Sequence, residues 1–151
     1  MDFELNTEAI LALQIDQLMR RFHSDFHPRA VRIDLEKVGP IGGMVLYVIS
    51  ENNPITAQEI ASTLGRDKSQ ISRVVSLLEH KGLIDKSTHS GDARRSQLQL
   101  TEKGKLQVAA FNGALVETTR NTLGQLSQGE LDQFSKLLAK VLSSDVRPGQ
   151  D

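Results

Sequence analysis

The sequence predicts a mainly α-helical chain carrying one small β-hairpin. Three observations carry that prediction: apolar residues recur at helical spacing over most of the chain, capping residues stand at the starts of those stretches, and apolar–polar alternation is confined to a short stretch at Gln97-Leu98-Gln99-Leu100. The 151 residues suit one compact domain or a tight dimerising unit, and 38% hydrophobic with 25% charged residues excludes wholesale disorder. Zero cysteines exclude a disulfide scaffold, a thiolate zinc finger, an iron–sulfur site and a thiol redox sensor or nucleophile. The longest apolar run, Met44 to Ile49, falls far short of the ~20 residues that span a bilayer. Asp2, Glu4 and Glu8 stand where a signal peptide would be basic, so the expected location is the cytoplasm, with no membrane partner.

The first helix starts at the cap Asn6. Its apolar positions, from Ile10 and Leu11 through Leu18, Met19, Phe22 and Phe26, spread over more than one face, which predicts burial on several sides. Pro28 is expected to end it, because proline disfavours the helical conformation of the residue before it, and residues 28–39 then read as a connector longer than a short join. A second helix spans about Pro40 to Glu51, with Ile41, Met44, Val45, Val48 and Ile49 at helical spacing and Asn52-Asn53-Pro54 as its stop. Gly42 and Gly43 weaken that helix by up to ~1 kcal/mol each relative to alanine, a cost that a close helix crossing would explain.

The third helix is announced by Thr56-Ala57-Gln58-Glu59, which has capping-box spacing, with Ile55 and Ile60 placed as a hydrophobic staple. It runs to Leu64 and meets Gly65, suited to a left-handed C-cap. Asp67 then caps a fourth helix whose buried stripe is Ile71, Val74, Val75 and Leu78, and Gly82 closes it. Two short capped helices joined by a tight turn, the second amphipathic and basic at its start, describe a helix-turn-helix. Leu83 to His89 reads as a strand, Ser90-Gly91-Asp92-Ala93 as a turn and Arg94 to Leu100 as the returning strand of a wing. Thr101 caps a long helix through Leu106, Phe111, Leu115 and Leu123. Ser127-Gln128-Gly129-Glu130 opens a last one bearing Leu131, Phe134, Leu137, Leu138, Val141 and Leu142. The polar tail from Asp145 to Asp151 is expected to fray.

The net charge of −1 hides an asymmetry: between Arg66 and Lys105 nine cations face five anions, a local excess of +4 that leaves −5 on the rest. A basic middle between acidic ends suits a polyanion-binding segment.

In this order and spacing, the motifs resemble the MarR family of transcriptional regulators over roughly residues 5–143. The matching stretches are Thr56-Ala57-Gln58-Glu59-Ile60-Ala61 through Ser69-Gln70-Ile71-Ser72-Arg73-Val74-Val75, then Leu78-Glu79-His80-Lys81-Gly82-Leu83-Ile84. Most specific is the wing Gly91-Asp92-Ala93-Arg94-Arg95-Ser96 running into Leu100-Thr101-Glu102-Lys103-Gly104. The resemblance implies a winged helix-turn-helix lobe at 38–104. It also implies a helical dimerisation region formed by residues 1–37 and 105–144, with 145–151 as a flexible tail. It further implies a homodimer, a pseudo-palindromic operator in double-stranded DNA, repression, and release by a small-molecule effector bound between the lobes.

The residues support that reading independently. With the apolar stripe of the fourth helix turned inward, its outer face presents Lys68, Ser69, Gln70, Ser72, Arg73 and Ser76, suited to base edges and phosphate oxygens. Gln70 can pair with adenine and Arg73 with guanine, each worth ~1–3 kcal/mol of discrimination. Arg94 and Arg95 follow the wing turn and can reach a minor groove or its phosphates, while Asp92 supports the wing. His23 and His27 share a helix face, but no third ligand accompanies them, so no metal site and no other cofactor is expected. Arg20, His23 and Tyr47 are candidates for lining a ligand pocket near the lobe–dimer junction, although a tyrosine in the place of Tyr47 is more often simply core. No nucleophile–base pair and no phosphate-binding glycine loop stands out, so catalysis is not expected. The alternative is a winged helix that docks protein rather than DNA.

Overall fold

The computed structural model describes residues 6–87 and 96–143. Along the chain stand α1 (Thr7–Ile33), α2 (Gly39–Glu51), β1 (Ile55–Thr56), α3 (Ala57–Leu64), α4 (Lys68–His80), β2 (Ile84–Ser87), β3 (Gln97–Leu100), α5 (Glu102–Leu123) and α6 (Gln128–Ser143). The predicted caps are all in place. The Asn6 side chain accepts from the Ala9 amide, Thr56 and Glu59 form the reciprocal capping box, and Asp67 accepts from the Gln70 amide. Thr101 accepts from the Gly104 amide, and Ser127 exchanges bonds with Glu130. Gly65 ends α3 in the left-handed conformation that glycine adopts without Cβ strain.

One core belongs to the lobe built from α2, α3, α4 and the sheet. Val45, Leu46, Ile49, Ile60, Ile71, Leu78, Leu83, Ile84 and Leu98 fill it, with Val74 packed at its edge. The staple residues Ile55 and Ile60 are both buried in it. The sheet is antiparallel in the order β1-β3-β2, with Ile84 opposite Leu100, Lys86 opposite Leu98, and Ile55 opposite Leu98 on the other edge. The two-residue strand β1 is absent from the sequence reading, since its signal is the partner strand and not its own pattern. Of the expected hairpin strands, Ile84–Ser87 and Gln97–Leu100 are extended while Leu83 and Ser96 are not, and the rest of both strands with the turn between them lies outside the described residues.

A second, smaller core joins α1 to α5. Phe26 meets Phe111 edge to face with centroids 5.5 Å apart, stacks on Phe22, and lies with Ala30 and Ala114 under Met44 and Tyr47 of α2. Gly43 allows this approach: a Cβ there would overlap the Phe111 ring, so the expected close helix crossing is the one between α2 and α5.

One expectation about α1 is overturned. The helix does not stop at Pro28 but runs through it to Ile33, so the connector to α2 is only residues 34–38 and is short. A proline inside a helix costs ~3 kcal/mol by removing one amide and crowding the preceding turn. Here its face is exposed, where water can satisfy the orphaned carbonyl. Burial of Phe26 and Ala30 on either side and the ion pairs of Arg29 with Asp25 and with Glu117 hold the helix together. Within one chain the expected burial of α1 on several sides is incomplete, for Ile10, Leu11, Leu13, Ile15 and Met19 remain 44–57% exposed.

Candidate nucleic-acid interface

Helix α4 turns Ile71, Val75 and Leu78 into the lobe core because apolar residues three and four apart share one face. The opposite face follows from the same geometry: Lys68, Ser69, Ser72, Arg73 and Ser76 are exposed together. Gln70, placed on that face by sequence, is half-buried. Its backbone N–H donates to the Asp67 cap at 3.4 Å. Arg94, Arg95 and Asp92 lie outside the described residues.

The start of α4 is fixed electrostatically. Asp67 accepts from the Ser69 hydroxyl and the Gln70 amide, with Arg73 nearby, and these hold its carboxyl below the usual carboxylate value. A carboxylate at a helix N-terminus also complements the partial positive charge there, so the end that carries Lys68 and Ser69 is ordered.

Sequence reasoning missed the second wall of this surface. A cleft of about 680 Å³ runs beside α4, bounded by Thr56, Gln58 and Ser62 of the α3 side, Lys68, Ser72 and Ser76 of α4, and Lys86 and Ser96 of the hairpin. Lys86 is itself exposed and pairs with Glu79 at 3.0 Å, on the face of β2 that also carries Ile84. Five hydroxyls and two lysines in the lining are groups that donate to phosphate oxygens, while Glu59, whose carboxylate is engaged in the capping box with Thr56, and Ala57, Val75 and Leu98 complete the wall. Strand alternation puts Lys86 on the same face as the buried Ile84, so the sequence pattern did not mark it as outward-facing.

Residues 41–95 match the profile of the MarR family. The whole chain is similar to a MarR/EmrR family transcriptional regulator from Acinetobacter sp. ADP1, with 26% identity over 91% of this chain and 95% of that one and a TM-score of 0.72. It is also similar to a mutant MarR from E. coli complexed with operator DNA, at 20% identity, 94% and 99% coverage and a TM-score of 0.72. A MarR family regulator from Rhodococcus sp. RHA1 superposes with a TM-score of 0.77 at 16% identity, covering 91% of this chain and 97% of that one. The fold is that of the MarR family of transcriptional regulators.

In this MarR-type chain a second cavity, about 510 Å³, opens between the lobe and the α1/α5 pair. Phe22, Phe26, Ile41, Met44, Leu64 and Leu115 give it apolar walls, and His23, His27 and Arg66 supply its polar groups. Of the three pocket candidates, His23 lines this cavity, and Tyr47 takes the core role that its sequence setting favoured. Arg20 points to solvent against Asp16, and Tyr47 packs beside the aromatic core. Among the described residues no group of three or more His, Asp or Glu is placed to hold a metal ion, and no helix is long and apolar enough to cross a membrane.

Proposed function

We propose that the chain is a homodimeric, sequence-specific DNA-binding regulator that represses transcription and is released by a small-molecule effector. The observation that carries the DNA-binding part is the exposed row on α4 continuing into the hydroxyl- and lysine-lined cleft beside it. Lys68 and Lys86 fit phosphates, while Arg73 and Gln70 fit base edges. The neighbour bound to operator DNA supports this assignment. Arg94 and Arg95, with Asp92 as support, complete the proposed surface by the sequence motif alone.

The dimer is supported by what one chain leaves uncovered. Helix α6 has no buried residue, and Leu137, Leu138, Val141 and Leu142 are 45–81% exposed on it, beside the exposed apolar positions of α1. An apolar stripe of that extent on an amphipathic helix needs a cover, and a second copy supplies an identical one. Residues 1–37 and 105–144 then form the dimerisation region around the lobe at 38–104. Two recognition helices related by a two-fold axis enter major grooves about one turn, ~34 Å, apart on a pseudo-palindrome. The cavity between lobe and helices fits the effector, because a ligand seated there can favour one lobe separation over another.

The test is selection of duplexes from a random pool followed by titration of the winners at several salt concentrations. An inverted repeat bound by two subunits, with log affinity falling linearly against log salt, is the expected result. Arg73→Ala is expected to relax base preference by about 1–3 kcal/mol at one position, and Arg94→Ala to weaken all sequences and flatten the salt slope. Equal, weak binding to every duplex would refute the reading in favour of protein docking. A single-copy sedimentation coefficient at micromolar concentration would refute the dimer.

A further inference from the structure

The lobe joins the α1/α5 pair through two covalent links, the connector 34–38 and the start of α5, and a set of polar side chains ties the two links together. Asp34, the C-cap of α1, turns its carboxylate onto the next helix: Oδ1 accepts from the Val38 amide at 2.9 Å and Oδ2 from the Gly39 amide at 2.8 Å. Two left-handed residues, Lys37 at φ 53° and Gly39 at φ 75°, reverse the chain so that those amides face back. Oδ1 also accepts from Nε2 of Gln107, a buried amide on α5 that lies 73 positions away in sequence, at 3.2 Å. One turn earlier on α5, Lys103 pairs with Glu36 of the connector at 3.0 Å and donates to the carbonyl of Lys81, the C-cap of recognition helix α4, at 3.1 Å.

This arrangement differs from an ordinary surface ion pair. The Asp34 carboxylate serves three donors from two helices in a half-buried junction, and charge-assisted bonds of that kind are the stronger ones. Among the described residues no other acceptor is bonded to the Val38 and Gly39 amides, so a change at Asp34 removes their partner there. Through Gln107 and Lys103 the same junction reaches the far end of α4.

We propose that Asp34, with Gln107 and Lys103, positions the winged-helix lobe on the α1/α5 pair and thereby sets the half-site separation at which the two lobes grip DNA. The second clause rests on the proposed DNA-binding dimer, whereas the first does not. One extra base pair between half-sites moves the second by ~3.4 Å and rotates it by roughly 35°. A stiffly held lobe can meet only one such placement, and a hinged lobe follows several.

The chain has no cysteine, so nitroxide pairs can be placed at Arg21→Cys on α1 and His80→Cys at the end of α4, both exposed. Labelled chains diluted with unlabelled protein report distances within one chain. A single narrow distance distribution is expected for the otherwise native protein. Asp34→Asn, which turns one acceptor into a donor against an amide N–H, should broaden it. Lys103→Met, at an exposed position that does not threaten folding, should broaden it less, and Lys103→Arg should restore it. On the selected duplex, Asp34→Asn should lose about tenfold of the discrimination between the best spacing and one base pair more, as expected for one charged hydrogen bond. Unchanged distances in Asp34→Asn and Lys103→Met overturn the proposal. Broadened distances with unchanged spacing discrimination overturn its second clause. If the native protein selects no duplex, broadened distances still uphold the junction, and the failure belongs to the DNA-binding reading.

Discussion

Replacing Gly43 by alanine tests whether the α2–α5 crossing is as tight as it looks. In an unencumbered helix the change stabilises by about 1 kcal/mol through helix propensity. At Gly43 the new methyl would overlap two ring carbons of Phe111, and that ring is held edge-on against Phe26 in a buried cluster, so it cannot swing aside cheaply. Overpacking of this kind costs typically ~1–3 kcal/mol, so the net expectation is a loss of about 1 kcal/mol, or a Tm lower by roughly 2–4 °C for a chain of this size. Gly113→Ala on α5 is the control. Its Cβ would meet nothing within 4 Å, so it should gain what Gly43→Ala forfeits. Both variants are melted at one protein concentration, because the proposed dimer would make Tm concentration-dependent. In a Phe111→Leu background the penalty at Gly43 should shrink or vanish. Equal stabilisation by both alanines, or an unchanged penalty without the ring, would refute the steric argument.

Two further outcomes follow from the described geometry. Pro28→Ala should restore an amide to the exposed turn that proline interrupts and raise stability by about 2 kcal/mol after the gain in unfolded-chain freedom, read as a higher urea midpoint at constant m; an unchanged midpoint would show that the turn is already frayed. Asp67 has its carboxyl lowered chiefly by the Ser69 hydroxyl and the Gln70 amide, so the cap is fully present above the usual carboxylate value and is lost as pH falls through the depressed folded value. The Gln70 amide resonance should therefore titrate below about pH 4 in the native chain, where an unperturbed carboxylate lies, and stay flat in Asp67→Asn; a flat native profile would contradict the cap.

What the sequence made legible was local. Asn6, Thr56, Asp67, Thr101 and Ser127 each cap where they were expected to, because a cap is decided within four residues. The α4 face was legible for the same reason, since helical period alone sorts Ile71, Val75 and Leu78 from Ser72, Arg73 and Ser76. Tertiary decisions were hidden. Pro28 is a sound local stop signal that lost to burial of Phe26 and Ala30 against α5. Strand β1 exists because Ile55 finds Leu98, and Asp34 is tied to Gln107 across most of the chain. Gln70 has a sequence position on the outer face yet lies half in shelter, a matter of how closely the neighbouring groups approach.

The root of α5 is fixed to the winged-helix lobe at several points. Thr101 donates to the Gly82 carbonyl, its amide donates to that of Leu83, and Gly104 sits so close to the Leu83 backbone that no Cβ fits. The first turn of α5 is thus grafted onto the end of the recognition unit, while its 22 residues extend about 33 Å away along the partner helix α1. A shaft of that length acts as a pointer: a 5° tilt at the graft sweeps the far end by about 3 Å, close to the ~3.4 Å rise of one base pair. The same gearing works in reverse, so ångström-scale shifts among the outer helices reach the reading head as only a few degrees of rotation.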